Sequence, residues 1–396
     1  MEPKRQAARK RKVVQKRIPL VATTLEGLEP VLAKELATIG GNDIREVKRA
    51  VTFTGDKDLI YKANLRLRTA LRILKPLRKF IAGDEEELYD GIYAIDWTEI
   101  FEVDKTFAVK TAVSGSLFTN SHFVALKCKD AIVDQFRERV GKRPSIETRY
   151  SDLVIHVKVQ NDRVSVSLDS SGTPLNKRGY RVKEAIAPLN ECLAAGMLLA
   201  AGYDGRMDFI DPMCGSGTLC IEAAMIAFRV APGLMREKFA FTNWKDFDHD
   251  LFEIIRDATI KRVREAPVRI IGYDRSFQAI RLAREAAERA ELTDAITFRM
   301  EDFFEMEPPP PPAILVMNPP YDERIRIDQA ERFYSRIGDK LKKDFTGYQA
   351  WILSGNQDAM KKVGLRTFQT YHLVNGKIPC RYSGYRLYRG SKSKTH

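Results

Sequence analysis

Apolar residues in the second half of the chain gather into short unbroken runs, each stopping at a polar or glycine-rich cluster. Phe209-Ile210, Ile270-Ile271 and Ile314-Leu315-Val316-Met317 are the clearest. Such runs mark strands buried on both faces. With further strands at Ile296 to Asp302 and Tyr348 to Leu353 and helical spacing at Asp250 to Arg264 and Ala330 to Leu341, they predict an α/β unit. Its sheet is mostly parallel and covered on both sides. Tyr371 to Val374 and Tyr385 to Tyr388 suggest a closing antiparallel hairpin.

The first half has a different rhythm. Ile18 to Ala22 reads as a strand, and a threonine cap at Thr23-Thr24 opens an amphipathic helix running to Leu36, stopped by Gly40-Gly41. Ile44 to Phe53 alternates as one strand, and Lys57 to Leu71 is helical, with Leu59, Ile60, Ala63, Leu67 and Leu71 on one side. This is an α+β module. Beyond it come a strand at Thr106 to Ser114, a helix from Ser121 to Arg139 and strands at Leu153 to Gln160 and Arg163 to Leu168. A glycine- and lysine-rich stretch follows, and a domain boundary is expected there. The expected organisation is a basic flexible arm at 1–17, an α+β module at 18–75, a second at 76–168, a connector at 169–186 and the α/β unit at 187–390.

Charge narrows the partners. Lys and Arg number 66 against 53 Asp and Glu, a net charge of +13, which favours a polyanion such as nucleic acid. Lys4, Arg5, Arg9, Lys10, Arg11, Lys12, Lys16 and Arg17 crowd the arm, which reads either as a sequence-independent phosphate contact or as a solubilising tail. Cys128, Cys192, Cys214, Cys220 and Cys380 lack paired metal-ligand spacing, and the histidines are dispersed, so reduced thiols in a cytoplasmic protein with no metal site are expected. No apolar run reaches the roughly 18 residues a membrane span needs.

The chemistry gathers at strand ends. Asp211 closes one strand, and Pro212-Met213-Cys214-Gly215-Ser216-Gly217-Thr218 turns into a helix, where glycines admit a ligand close to the backbone. Asp274 ends the next strand. In dinucleotide folds such an acid holds ribose hydroxyls, but the gap here exceeds about 20 residues because Pro232 to Pro267 reads as an insertion. The plainer reading of Asp274 is a cap for the helix after Ser276. Asp302 ends a third strand and can accept from an adenine amine.

Asn318-Pro319-Pro320-Tyr321 follows the most apolar run. Proline stops the strand there. The Asn318 oxygen and the Pro319 carbonyl can both accept from an exocyclic NH2 on a base, and Tyr321 offers a face for stacking. The plainer reading is a Pro-Pro turn without chemistry.

In this order these positions resemble the class I S-adenosylmethionine methyltransferases that modify exocyclic amines. Phe107 to Lys110, the helix from Asn120 to Asp134 and the strand pair after it resemble a THUMP domain, which in its family follows a ferredoxin-like module and binds RNA. With Arg178-Gly179-Tyr180-Arg181 and Ala187 to Glu191, nearly the whole chain resembles the bacterial 23S rRNA guanine-N2 methyltransferases of the RlmL type.

The resemblance implies a Rossmann-like catalytic domain using S-adenosylmethionine. Asp211, Cys214, Gly215, Ser216, Gly217 and Thr218 would hold the methionine and ribose portions, Asp274 the ribose hydroxyls and Asp302 the adenine. Asn318, Pro319 and Pro320 would present the target amine to the methyl group, Asn318 also bordering the cofactor, and Tyr321 would stack on a flipped base. Lys127, Lys129, Arg178 and Arg181 would contact RNA, with Arg137, Arg139, Lys142 and Arg143 near the first two. The implied partner is 23S rRNA or a ribosomal precursor, bound by a monomer away from any membrane. The second methyltransferase domain that some members carry is absent, so one modification is expected. Guanine-N2 methylation of tRNA, adenine-N6 methylation of DNA and a non-catalytic RNA-binding assembly factor are the alternatives.

Overall fold

The computed structural model describes residues 17–115, 118–182, 188–320 and 327–388. The basic arm up to residue 16 and Tyr321 lie outside them.

The N-terminal half is built on β1 (Ile18–Thr23), β2 (Asn42–Val47), β3 (Ala50–Gly55), β4 (Arg72–Ile81), β5 (Phe107–Ser114), β6 (Leu153–Gln160) and β7 (Arg163–Asp169). They form one sheet in the order β2-β3-β1-β4-β7-β6-β5. Strand β4 joins the two expected modules, because its start pairs with β1 and its length pairs with β7. Helices α1 (Glu29–Thr38), α2 (Lys57–Arg66), α3 (Glu85–Tyr93) and α4 (Ser121–Val140) accompany this sheet.

Two sequence expectations change here. Ile44 to Phe53 is a hairpin rather than one strand, turning at Lys48-Arg49 with Arg49 at φ +59°. Glu29 steadies that turn by accepting from the Arg49 N–H at 2.8 Å. Helix α1 begins at Glu29 behind Leu28, which offers no side-chain cap. Thr24 is not its cap, since its hydroxyl donates to the Thr69 carbonyl at 2.7 Å.

The C-terminal half carries α5 (Glu191–Ala200), β8 (Asp208–Asp211), α6 (Thr218–Ala227), α7 (His249–Ile260), β9 (Ile270–Asp274), α8 (Phe277–Arg289) and β10 (Thr297–Met300). Then come β11 (Ala313–Met317), α9 (Ile327–Asp344), β12 (Gln349–Ser354), α10 (Gln357–Lys361), β13 (Thr367–Asn375) and β14 (Ile378–Arg386). The sheet order is β10-β9-β8-β11-β12-β14-β13, parallel from β10 to β12, with β14 antiparallel to β12. This Rossmann-like order reverses between β8 and β11, and a crevice opens there at the carboxyl ends. Strand β11 shows why its run is unbroken: Ile314 and Val316 pack into one core, and Ala313, Leu315 and Met317 into the core on the other face.

The halves are knitted together. Ser170 and Ser171 of the connector are buried and bond to Asn64 at 2.8 and 2.7 Å, and the Leu175 N–H reaches the Leu71 carbonyl at 2.8 Å. The stretch read as an insertion is the other fastening. Phe239, Phe241 and Trp244 join the N-terminal core, with Phe241 at 4.7 Å from the Tyr61 ring centre. Among the described residues no helix is long and apolar enough to cross a membrane.

Candidate active site

The turn after β8 is fixed by backbone bonds. The Cys214 N–H donates to the Tyr273 carbonyl and the Gly217 N–H to the Cys214 carbonyl, both at 2.8 Å. The two glycines answer different needs. Gly217, at φ +79°, precedes α6, and a Cβ on it would lie 3.0 Å from both Ala283 Cβ and Phe298 Cζ. Packing demands that glycine. Gly215, at φ +53°, would carry a Cβ with nothing inside 4 Å, so it faces open space.

Asp274 ties β9 to this turn. Its Oδ2 accepts from the Gly215 N–H at 3.0 Å and its Oδ1 from the Ser276 N–H at 2.9 Å. Ser276 is itself the cap of α8, accepting from the Ala279 N–H at 3.3 Å. A carboxylate keeps spare lone pairs after two such bonds, so the supporting role leaves room for a ligand. Asp302 lies just beyond β10 and accepts from the Phe304 N–H at 2.8 Å.

Asp211 sits deeper. It is 2% exposed and accepts from the Met213 N–H at 3.2 Å. Burial, reinforced by the nearby Asp274 charge, pushes its carboxyl up to about 8. Cys214, Gly217 and Thr218 are also buried, whereas Gly215 and Ser216 are half-buried.

A cleft of about 600 Å³ opens in front of these strand ends. Asp274, Asp302, Asn318, Pro319 and Pro320 all line it. The structure therefore brings together residues that lie up to 46 positions apart in the chain. Asp211, Cys214, Gly215, Ser216, Gly217 and Thr218 are not among the cleft-lining residues, and form the turn supporting its floor. Asn318 places an acceptor at the cleft: among the described residues its Oδ1 is buried and without a hydrogen-bond partner. Leaving such an acceptor unmet costs about 1–3 kcal/mol, and because Asn318 lines the cleft a donor on a bound ligand can meet it.

Sequence reasoning missed much of the wall: Met213, Phe304, Phe333, Asn375 and Ile378. The last two flank the turn between β13 and β14, where Gly376 has φ +63°. The signal was present, since Asn375-Gly376 between two strands reads as a tight hairpin. Because β14 runs antiparallel to β12, that turn lies at the carboxyl edge beside the cleft.

The expected RNA contacts divide. Lys127 stands 4.0 Å from Glu85 and over the Tyr89 ring, and Lys129 stands 3.0 Å from Asp130. Arg181 is 40% exposed and 2.8 Å from Glu191. Arg178 is not a phosphate contact. It is 1% exposed, 3.3 Å from Glu222 Oε1, and donates to the carbonyls of Leu175 and Arg68. It pins the connector and the α2–β4 loop to α6.

The comparisons agree with this architecture. The chain matches the RMKL-like methyltransferase domain over residues 178–384, the THUMP domain over 82–169 and the RlmL ferredoxin-like domain over 19–74. It is 36% identical to a Synechocystis sp. protein named "Putative RNA methyltransferase slr0064", over 93% of this chain and 97% of that one. It is 38% identical to the ribosomal RNA large subunit methyltransferase K/L of Syntrophotalea carbinolica, over 92% of this chain but 53% of the relative. The chain thus spans about half the length of the K/L relatives it matches. The crystal structure of SMU.472 complexed with SAH superposes with a TM-score of 0.87 at 30% identity, covering 96% of this chain and all of that one. With its three domains in this order, the chain belongs to the family of RMKL-like methyltransferases.

Proposed function

We propose that this chain methylates the exocyclic N2 amine of a guanosine in large-subunit ribosomal RNA, with S-adenosylmethionine as methyl donor. The observation that carries the reading is the Asn318 Oδ1 after β11, which lines the cleft buried and, among the described residues, without a hydrogen-bond partner. The family and the large-subunit relatives support the RNA class.

The residues present fit the cofactor. Open space in front of Gly215 admits the methionine portion, and Asp274 and Asp302 offer acceptors for ribose hydroxyls and an adenine amine. When bound, the cofactor supplies an electrophilic methyl group.

The rest is positioning. An exocyclic amine is a weak nucleophile because its lone pair is shared with the ring. Asn318 Oδ1 and the Pro319 carbonyl accept its two N–H bonds and hold the nitrogen in line, which is where the entropic advantage of an organised site arises. Burial strengthens those bonds by excluding water. Tyr321 would complete the slot by stacking on the base. No strong base is required, since the methylated amine loses its proton to water.

The test is transfer of labelled methyl to purified RNA, followed by nucleoside analysis. N2-methylguanosine in large-subunit RNA supports the reading, the same nucleoside confined to tRNA moves the substrate, and an N6-methyladenosine product overturns the base assignment.

A further inference from the structure

A second cavity, of about 520 Å³, lies at the seam between the two halves. It shares no lining residue with the cleft. Leu199 and Ala200 line it at the end of α5, next to Ala201, whose carbonyl accepts from Gln349, the first residue of β12, at 3.1 Å. The cavity therefore lies at the amino ends of the strands, and the cleft at their carboxyl ends.

Its wall is basic. Lys34 comes from α1, Arg66 from the end of α2, Arg68 from the loop after it, Arg229 from beyond α6 and Arg262 from beyond α7. Among the described residues none of the five makes an ion pair within 4.0 Å. The one carboxylate in the lining, Glu35, is committed elsewhere: it accepts from the backbone N–H groups of Arg68 and Thr69 at 2.8 and 3.0 Å, and from the Thr69 hydroxyl.

The plain explanation for such arginines is that they satisfy helix carboxyl ends, and it accounts for part of the set. Arg68 Nη2 donates to the carbonyls of Met225 and Val230 at 2.9 and 2.8 Å, and Arg66 Nε to the Thr259 hydroxyl at 2.9 Å. The ends of α2, α5, α6 and α7 together bring roughly two negative charges at about half a charge each, against five positive ones. Among the described residues Arg68 Nη1 stays buried without a hydrogen-bond partner. Burial and then the neighbouring Arg262 lower the Arg66 pKa against the pull of Asp58, and burial lowers that of Arg68 against Glu222 and Glu35, so these carboxylates offset the cost of holding the cations together only in part.

We propose that this seam cavity is an anion site that takes phosphate groups, with the backbone of the RNA substrate as the source. The choice of source rests on the RNA methyltransferase reading above. Helix α6 runs ten residues from the glycine turn toward Arg229, about 15 Å at 1.5 Å per residue. A phosphate held there contacts the same RNA as the cleft without touching the reacting base, which fixes register rather than sequence.

The experiment uses the full chain and the double variant Arg229→Glu/Arg262→Glu, both exposed positions outside the cleft. Binding of a labelled large-subunit rRNA fragment is measured across salt, alongside cofactor affinity and the unfolding midpoint. RNA affinity should fall about tenfold, and the slope of log affinity against log salt should become shallower by about 1.5, since each phosphate contact contributes about 0.7 to 0.9. Cofactor affinity should not move, and the midpoint should not fall, since the variant relieves the repulsion among the cations. Lys342→Glu/Lys361→Glu, on α9 and α10, makes the same net charge change as a control and should retain affinity and slope.

Inorganic pyrophosphate separates the sources. If it raises the wild-type midpoint, fails to raise that of the variant, and RNA binding is equal in both, the site takes phosphate from a small nucleotide. Equal RNA binding together with equal pyrophosphate response overturns the site, as does a loss matched by the control. A wild type that binds no RNA overturns the substrate reading, and the pyrophosphate arm then still decides the cavity.

Discussion

At the residue scale the account turns on Asn318. Asn318→Ala should lower kcat by roughly 100-fold or more, the range seen when a preorganised hydrogen-bonding group is removed. Cofactor affinity by calorimetry should stay within about threefold, and a parallel loss of affinity would reassign Asn318 to cofactor binding. The glycines give a second contrast. Gly217→Ala forces a Cβ to 3.0 Å from Ala283 and Phe298 and, with left-handed strain of about 1–2 kcal/mol added to about 1–3 kcal/mol of overpacking, should destabilise the fold clearly more than Gly215→Ala in urea. Gly215→Ala meets nothing within 4 Å and should spare stability apart from the left-handed strain of about 1–2 kcal/mol, while cofactor binding weakens. Asp211 carries the pH dependence. Its folded carboxyl titrates near 8 against an ordinary 3.8, so the native state holds a proton that the unfolded chain has lost. Its stabilising contribution is complete below about pH 4 and is lost as pH rises through about 8. Urea unfolding at pH 5 and pH 8 should show a larger fall for wild type than for Asp211→Asn, and equal falls would contradict the assignment. Asp274 and Asn318 stood out in the sequence because each follows a buried apolar run, whereas Asp302 follows the mostly exposed strand β10 and stood out only as an acid at a strand end. Arg178 was misread for a matching reason: sequence shows a charge but not its partner, and Glu222 lies 44 residues away inside an apolar helix.

At the scale of elements, the fastenings between the halves dominate. Arg178→Met leaves Glu222 buried without its cation and should cost about 3–5 kcal/mol in urea unfolding. The salt slope of RNA binding should not change, and a shallower slope would restore Arg178 as a phosphate contact. Hydrophobic runs located β8, β9, β11 and β12 because those strands are buried on both faces, while the edge strand β10 is mostly exposed. The Lys48-Arg49 turn escaped because it contains neither glycine nor proline, and Arg49 adopts a left-handed φ that sequence does not advertise. Residues 232 to 247 escaped because an aromatic cluster does not say what it packs on. Their partner, Tyr61, lies in the first module.

At the scale of the whole molecule, a continuous N-terminal sheet and a Rossmann-like sheet share a buried seam, so the expectation is one folding unit. Trp97, Trp244 and Trp351 sit in the first half, at the seam and in the second sheet, and all are buried. Fluorescence and far-ultraviolet circular dichroism should therefore report coincident unfolding transitions, and two separated transitions would mean that the halves fold apart. The same arrangement puts the cleft at one end of the sheet and the cationic cavity at the other. The most direct test of the central claim is transfer of labelled methyl from S-adenosylmethionine to separated 23S rRNA, 16S rRNA and tRNA from cells lacking this protein, with wild type and Asn318→Ala side by side and nucleosides identified. The account predicts N2-methylguanosine in 23S rRNA from wild type and none from the variant; equal transfer by both, or label in a different nucleoside, would contradict it.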